Sequence, residues 1–247
     1  MRNVIRLVGV LCAVVLVSAP SYGGYKLVGK PLKGDPMAVH IYRLDNGLTV
    51  YLTENHETPR FYVETAVRAG SKHDPAESTG LAHYLEHILF KGTAKLGTLD
   101  YEKEKVHLDR VEALYDQHFV ETDPEKRAAL YEQINAETVA SAQYSIPNEM
   151  DRLYKAMGGS KVNAHTWHEE TVYKVELPAN HMEQWAVLES DRFANPVFRL
   201  FVTELETVYE ELNRSLDNKQ RLIMYAVDDV LYKVHPYGQQ PTIGLTE

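Results

Sequence analysis

Two histidines and a glutamate lie within five consecutive residues of this sequence. Residues 83 to 87 read His-Tyr-Leu-Glu-His, so His83 and His87 are four positions apart. On a helix, that spacing places both imidazoles on one face, one turn apart. Two such nitrogens suit two ligands of a tetrahedral zinc ion. Glu86 is offset from that face, so its carboxylate can take a proton from a zinc-activated water as general base and pass it to a leaving amine.

The alternative interpretation is a helix whose two histidines merely cap a core. Among the 11 histidines of the chain, His83 and His87 are the pair at i and i+4 with a glutamate between them. The surrounding segment also predicts a helix, because its apolar residues share one face: Leu81, Leu85, Ile88 and Leu89. A His-x-x-Glu-His order on a helix is the inverted form of the zincin motif. This context favours the metal site.

A catalytic zinc ion takes a third protein ligand, and a second helix can supply it. Residues 200–216 predict that helix, with a buried face made of Phe201, Leu205, Val208 and Leu212. At about 100° per residue, Glu204 and Glu211 lie within about 20° of each other on the border of this face. Glu206 and Glu210 point to the opposite side, toward solvent. The spacing therefore leaves Glu204 and Glu211 as alternatives for the third ligand.

The segments around these helices predict the scaffold. Residues 39–52 read as two strands around an Asp-Asn-Gly turn, and residues 61–68 read as a third strand. Residues 161–177 predict paired strands, flanked by helices over 148–157 and 180–193. Strands followed by helices, without regular alternation, indicate an α+β layered domain with a mostly antiparallel sheet packed against helices.

Residues 99–144 differ in character from the rest of the chain. They are rich in charged residues and alanine, and they break at Thr122-Asp123-Pro124-Glu125, which is typical of a helix start. We expect a helical hairpin here, inserted at the surface as two exposed helices that pack on each other.

The first residues predict a targeting signal. Residues 1–23 combine Arg2 and Arg6 with an apolar stretch from Leu7 to Val17, and small residues precede a cut before Gly24. The stretch is too short to span a bilayer comfortably, although an uncleaved anchor is the alternative. We expect a secreted or periplasmic protein with no stable membrane insertion after cleavage.

Composition excludes several classes of protein. With 44% hydrophobic and 25% charged residues, the 247-residue chain has the balance of a folded globular protein. The formal net charge of −9 argues against a nucleic-acid partner, which would require a basic surface. One cysteine excludes a disulfide scaffold.

Several motifs in a fixed order resemble the pitrilysin/insulinase family of zinc metallopeptidases. They are LDNGLTVYL, GLAHYLEHILFKGT from Gly80 to Thr93, NAHTWHEETVY from Asn163 to Tyr173, ELETVYEELNRS, and HPYG from His235 to Gly238. The resemblance runs from about Val39 to Gly244, nearly all of the expected mature chain.

This resemblance implies a role for each matching residue. His83, His87 and Glu211 would be the Zn²⁺ ligands, Glu86 the general base, and Glu204 a second acidic residue that supports the site. Three further residues match the edge strand that pairs with a peptide substrate: Asn163, Ala164 and Thr166. The separation of His87 and Glu211 exceeds the family's usual gap by several tens of residues, which the predicted insertion accounts for.

The resemblance also implies that residues 24–247 are the N-terminal domain of a metallopeptidase, incomplete at its C-terminal end. We therefore expect a zinc metalloendopeptidase that hydrolyses peptides or unfolded segments, with a second related domain or subunit completing the active site. The alternatives are a non-catalytic partner or scaffold subunit, and an inactive fragment that needs a downstream half. The intact motif favours the peptidase.

Overall fold

The computed structural model describes residues 23–244, which divide into two compact units at residues 58 and 59. The predicted signal peptide therefore lies outside the described residues, except for Gly23. Within the described residues, no helix has both the length and the apolar character needed to cross a membrane.

The first unit contains a three-stranded antiparallel sheet. Its strands are β1 (Tyr25–Gly29), β2 (His40–Leu44) and β3 (Thr49–Leu52), in the order β1-β2-β3. The predicted turn joins β2 to β3. There the Asn46 side chain accepts a hydrogen bond from the Leu48 amide at 3.0 Å, and Gly47 adopts a φ of 92°. A positive φ costs glycine nothing, which explains the strength of the Asn-Gly signal.

The second unit contains another antiparallel sheet, and this one positions the site. Its strands are β4 (Arg60–Val67), β5 (Ser160–Thr166) and β6 (Thr171–Pro178), in the order β4-β6-β5. Strand β5 is therefore an edge strand, as the family resemblance implies. The helices of this unit are α1 (Leu81–Ile88), α2 (Tyr101–Val120), α3 (Pro124–Ala142), α4 (Glu149–Ala156), α5 (Met182–Ala194), α6 (Phe201–Leu216), α7 (Lys219–Leu231) and α8 (Pro236–Gln239).

Apolar clusters join these helices to one another and to the sheet. One cluster joins α4 and α5 to strand β6, and it consists of Met150, Tyr154, Val175, Leu177 and Leu188. A second cluster packs Tyr84 and Ile88 of α1 against Val208 of α6. The two helices predicted to carry the metal ligands are thus held against each other by their apolar faces. The predicted α+β fold, with antiparallel sheets packed against helices, is confirmed.

The predicted helical hairpin forms from α2 and α3, and its base is more integrated than expected. Asp123 caps α3 by accepting hydrogen bonds from the amides of Glu125 and Lys126. Beyond packing on each other, the two helices bury Val111 and Ile134 against Val202 of α6. Helix α6 therefore has neighbours on two sides.

The second neighbour of α6 explains an error in the predicted buried face. Leu205, expected inside, is 37% exposed, whereas Val202 is 8% exposed because it faces the hairpin. The predictions for the acidic residues hold: Glu206 and Glu210 are exposed, Glu211 is half-buried and Glu204 is buried.

Candidate zinc-binding active site

Helix α1 is fixed at its start by a buried aspartate and a glycine. The Asp74 carboxylate accepts hydrogen bonds from the Gly80 amide at 2.8 Å and the Ala82 amide at 2.9 Å, which satisfies free donors of the first turn. Gly80 has a φ of 88°, and a side chain there would meet the backbone oxygen of Ile243 at 2.5 Å. This anchoring sets the direction in which His83, Glu86 and His87 project.

Three predicted ligands converge at one point between α1 and α6. The ligand atoms of His83, His87 and Glu211 all lie within 4.8 Å of one another. Both histidine Nε2 atoms are 3.6 Å from the same Oε2 atom of Glu211. Ligand atoms about 2.0–2.1 Å from a tetrahedral zinc ion lie roughly 3.4 Å apart, so these separations fit that metal. Two histidines and one glutamate are also a donor set of catalytic zinc sites.

The surroundings of the two histidines differ. Burial, together with the charges of His87 and Arg221, lowers the pKa of His83 to about 4, so its ring is neutral near pH 7, as a metal ligand must be. The adjacent carboxylate of Glu204 raises the pKa of His87, with Glu211 adding to the effect. This contact joins His87 Nδ1 to Glu204 Oε2 at 3.5 Å and leaves Nε2 facing Glu211.

The structure places Glu204 and Glu211 in different positions relative to the histidines, which helical angles alone do not distinguish. Glu211 faces the Nε2 atoms of both histidines, and Glu204 stands behind His87. Carboxylates commonly support metal-binding histidines through the second ring nitrogen. Burial alone would raise the pKa of Glu204, but its contacts with His87 and Lys91 outweigh burial and lower that pKa. The roles of Glu211 as a ligand and of Glu204 as a supporting residue stay predictions.

Glu86 is 8% exposed and lies beside the three candidate ligands, but it is not part of the converging group. The Thr166 hydroxyl donates a hydrogen bond to Glu86 Oε2 at 2.6 Å, which orients the carboxylate. Burial raises the pKa of Glu86, while the Thr166 hydrogen bond and the charge of His87 oppose the rise. A carboxylate with a raised pKa is a stronger proton acceptor, as general-base catalysis requires.

The predicted substrate strand borders the same site. A cleft of about 810 Å³ is lined by His83, Glu86, Glu211 and β5 residues, Asn163 and Ala164 among them. A second hollow of about 300 Å³ shares Glu86, Asn163 and Ala164 with the first. Glu86 and two residues of β5 therefore line both spaces. Thr166, which the resemblance places in the strand that pairs with substrate, also donates a hydrogen bond from its hydroxyl to Glu86.

Sequence reasoning missed Lys91. Its ammonium is 2.5 Å from Glu204 Oε1, and its side chain is 15% exposed. A signal for it existed, because Lys91 is four positions after His87 and so continues the same helical face. The other missed contact, between Thr166 and Glu86, joins residues far apart in the chain and left no local signal.

Comparison with known proteins defines the family. The family described as Insulinase (Peptidase family M16) matches residues 49–108 and 128–242, so the chain belongs to it. The unmatched residues between these ranges include the tip of the α2–α3 hairpin.

Curated relatives and solved structures agree with this membership. An uncharacterized zinc protease of Rickettsia felis is 23% identical over 210 residues, which are 84% of this chain and 39% of that relative. The probable mitochondrial-processing peptidase subunit beta of Schizosaccharomyces pombe is 43% identical over 75 residues, 27% of this chain and 15% of the relative. Other relatives are also described as zinc proteases, among them one from Bacillus subtilis.

Two solved structures show the same fold. Pitrilysin superposes with a TM-score of 0.61 at 20% identity, covering 90% of this chain and 19% of pitrilysin. The first half of the periplasmic protease PqqL from Escherichia coli gives 0.59 at 20% identity, covering 89% of this chain and 37% of that one. The chain thus spans well under half of the relatives and structures that it matches along most of its length.

Proposed function

We propose that this chain carries the catalytic zinc site of a metalloendopeptidase that hydrolyses peptides or unfolded segments. The observation that carries this proposal is the convergence of His83, His87 and Glu211 next to a buried, oriented Glu86. When bound, zinc supplies Lewis acidity that polarises the scissile carbonyl and makes a water molecule more acidic.

The residues of the chain have separable tasks in this proposal. The open edge of β5 offers backbone groups to an extended peptide, which would add as a further strand. Glu86 accepts a proton from the attacking water and delivers it to the leaving amine, while Thr166 holds its carboxylate in place. The cleft and the hollow that share Glu86, Asn163 and Ala164 leave room for an extended peptide, which favours an endopeptidase.

The first test is zinc binding by matched glutamate variants. Glu211→Gln is expected to weaken zinc binding by more than about 100-fold, because removing a ligand costs more than removing a supporting residue. Glu210→Gln, the adjacent exposed glutamate, is expected to bind zinc as the native chain does. Competition with a chromophoric chelator measures both affinities. Equal affinities for the two variants, or loss at position 210 only, would contradict the ligand set.

We also propose that a second related domain or subunit completes the active site. The relatives are much longer than this chain, and helix α7 exposes apolar residues such as Ile223, Val230 and Leu231. Apolar surface of this kind is typical of an interface.

The consequence is that residues 24–247 alone hydrolyse quenched fluorescent peptides slowly, even with zinc bound. A carbonyl must be held and enclosed as well as activated. The same assay with the proposed second domain or subunit present gives the comparison. Equal turnover with and without it would show that residues 24–247 need no second domain or subunit for hydrolysis.

Export is a separate proposal, supported by the N-terminal sequence. The charged start, the short apolar stretch and the small residues before Gly24 are those of a cleaved signal. N-terminal sequencing of protein recovered outside the cytoplasm tests the cut before Gly24, and a mature chain that retains residues 1–23 would contradict it.

A further inference from the structure

A lysine stands behind the carboxylate that supports the metal site. Lys91 lies in the short 3₁₀ turn at residues 89–91, which directly follows α1. Its Nζ atom is 2.5 Å from Glu204 Oε1, and the other oxygen of the same carboxylate is 3.5 Å from His87 Nδ1. The side chains of Lys91 and Glu204 are 15% and 11% exposed. One buried carboxylate therefore bridges a lysine and a candidate zinc ligand.

The support is given to one histidine only. His83 Nδ1 is buried and has no hydrogen-bond partner among the residues of 23–244. The orientation of His83 is therefore set by packing, whereas that of His87 depends on Glu204. Each oxygen of the Glu204 carboxylate has its own partner, so the carboxylate cannot rotate freely. Loss of Lys91 would leave Oε1 without its partner and allow the carboxylate to turn away from His87.

The backbone that carries Lys91 is itself fixed. Arg199 is 1% exposed and donates hydrogen bonds to the backbone oxygens of Lys91 at 2.7 Å, Thr93 at 2.8 Å and Leu96 at 2.9 Å. Its remaining donors bind the carboxylate of Glu104, a fully buried residue of α2, at 2.9 Å and 3.1 Å. These contacts use every N–H of the guanidinium. The hairpin is thus connected through Arg199 to the loop that bears Lys91.

We propose that Lys91 is a positioning residue for the zinc site, which acts through Glu204 on His87 and is held in place by the Arg199–Glu104 pair. This inference rests on the proposed function, since it concerns the same metal site. It also assigns a task to the base of the hairpin: to fix the loop from which Lys91 reaches the site.

The test compares two lysines of the same loop. Lys91→Met removes the ammonium but keeps the length of the side chain, and Lys95→Met makes the same change at a lysine whose side chain is 79% exposed. We expect Lys91→Met to weaken zinc binding about 10- to 100-fold, the usual effect of losing support behind a ligand. We expect Lys95→Met to bind zinc as the native chain does. Competition with a chelator measures the affinities.

A double-mutant cycle separates positioning from a general loss of structure. If Lys91 acts through Glu204, Lys91→Met adds no further loss of affinity in a Glu204→Gln background. Additive losses would overturn the inference, as would a Lys91→Met affinity within about twofold of native, below the usual effect of such contacts. Thermal unfolding of the metal-free variants verifies that each is folded, and Lys91→Gln replaces any Lys91→Met protein that is not. Failure of the native chain to bind zinc would instead refute the proposed function.

Discussion

Replacement of Glu86 by glutamine is expected to lower peptide hydrolysis by about 10²- to 10⁴-fold while zinc binding stays close to native. The amide keeps the size of the carboxylate and an oxygen that can accept the hydrogen bond from the Thr166 hydroxyl. It removes only the ability to accept a proton. Because Glu86 is not among the three converging ligands, we expect its replacement to leave the zinc affinity unchanged.

The measurement pairs turnover of a quenched fluorescent peptide with zinc content, both on the full-length gene product. Glu206→Gln is the matched control, since Glu206 is exposed on α6 and we assign it no part in the site. Near-native hydrolysis by Glu86→Gln would show that another group is the base. Loss of zinc from this variant would show that Glu86 helps to hold the metal, which contradicts the role that we propose.

The sequence predicted the helices of the site well because their chemistry is local. A pair of histidines four apart and a helical stripe of apolar residues are both patterns within one element, so α1 and α6 could be placed before their packing was known. The edge position of β5 came instead from the family resemblance, because strand order depends on pairing between distant segments.

The choice between Glu204 and Glu211 shows where such patterns stop. Helical angles put both on nearly the same side of α6, and they differ mainly in height along the axis. The structure separates them because α1 meets α6 at a particular height, with His83 and His87 opposite Glu211. That height is set by packing between the helices, which neither sequence segment contains by itself.

Predicting one buried face per helix is also wrong for a helix with two neighbours. The apolar pattern of α6 predicts one buried face that includes Leu205, whereas the hairpin covers Val202 on another side. Buried charges are equally invisible to hydrophobic patterns. Glu104 and Arg199 read as ordinary surface residues in sequence, yet they are 0% and 1% exposed.

The buried pair of Glu104 and Arg199 leads to the second large expected effect. Glu104→Gln is expected to lower the free energy of unfolding by about 3–5 kcal/mol, because it leaves the Arg199 charge buried without its counter-charge. Glu102→Gln, on an exposed position of the same helix, should change it by no more than about 0.5 kcal/mol. Urea denaturation of the metal-free chain measures both, so that loss of zinc does not enter the comparison.

Arg199→Met should destabilise the chain more than Glu104→Gln does. Both changes break the ion pair, but only the loss of Arg199 also removes the donors to the backbone oxygens of Lys91, Thr93 and Leu96. Buried acceptors left without partners cost about 1–3 kcal/mol each. A larger loss of stability for Glu104→Gln than for Arg199→Met would contradict this prediction, as would a Glu104→Gln effect as small as that of Glu102→Gln. Either result would mean that the base of the hairpin contributes little to the stability of the loop. The loop would then owe its conformation to its own turns, and Lys91 would reach Glu204 without help from the hairpin.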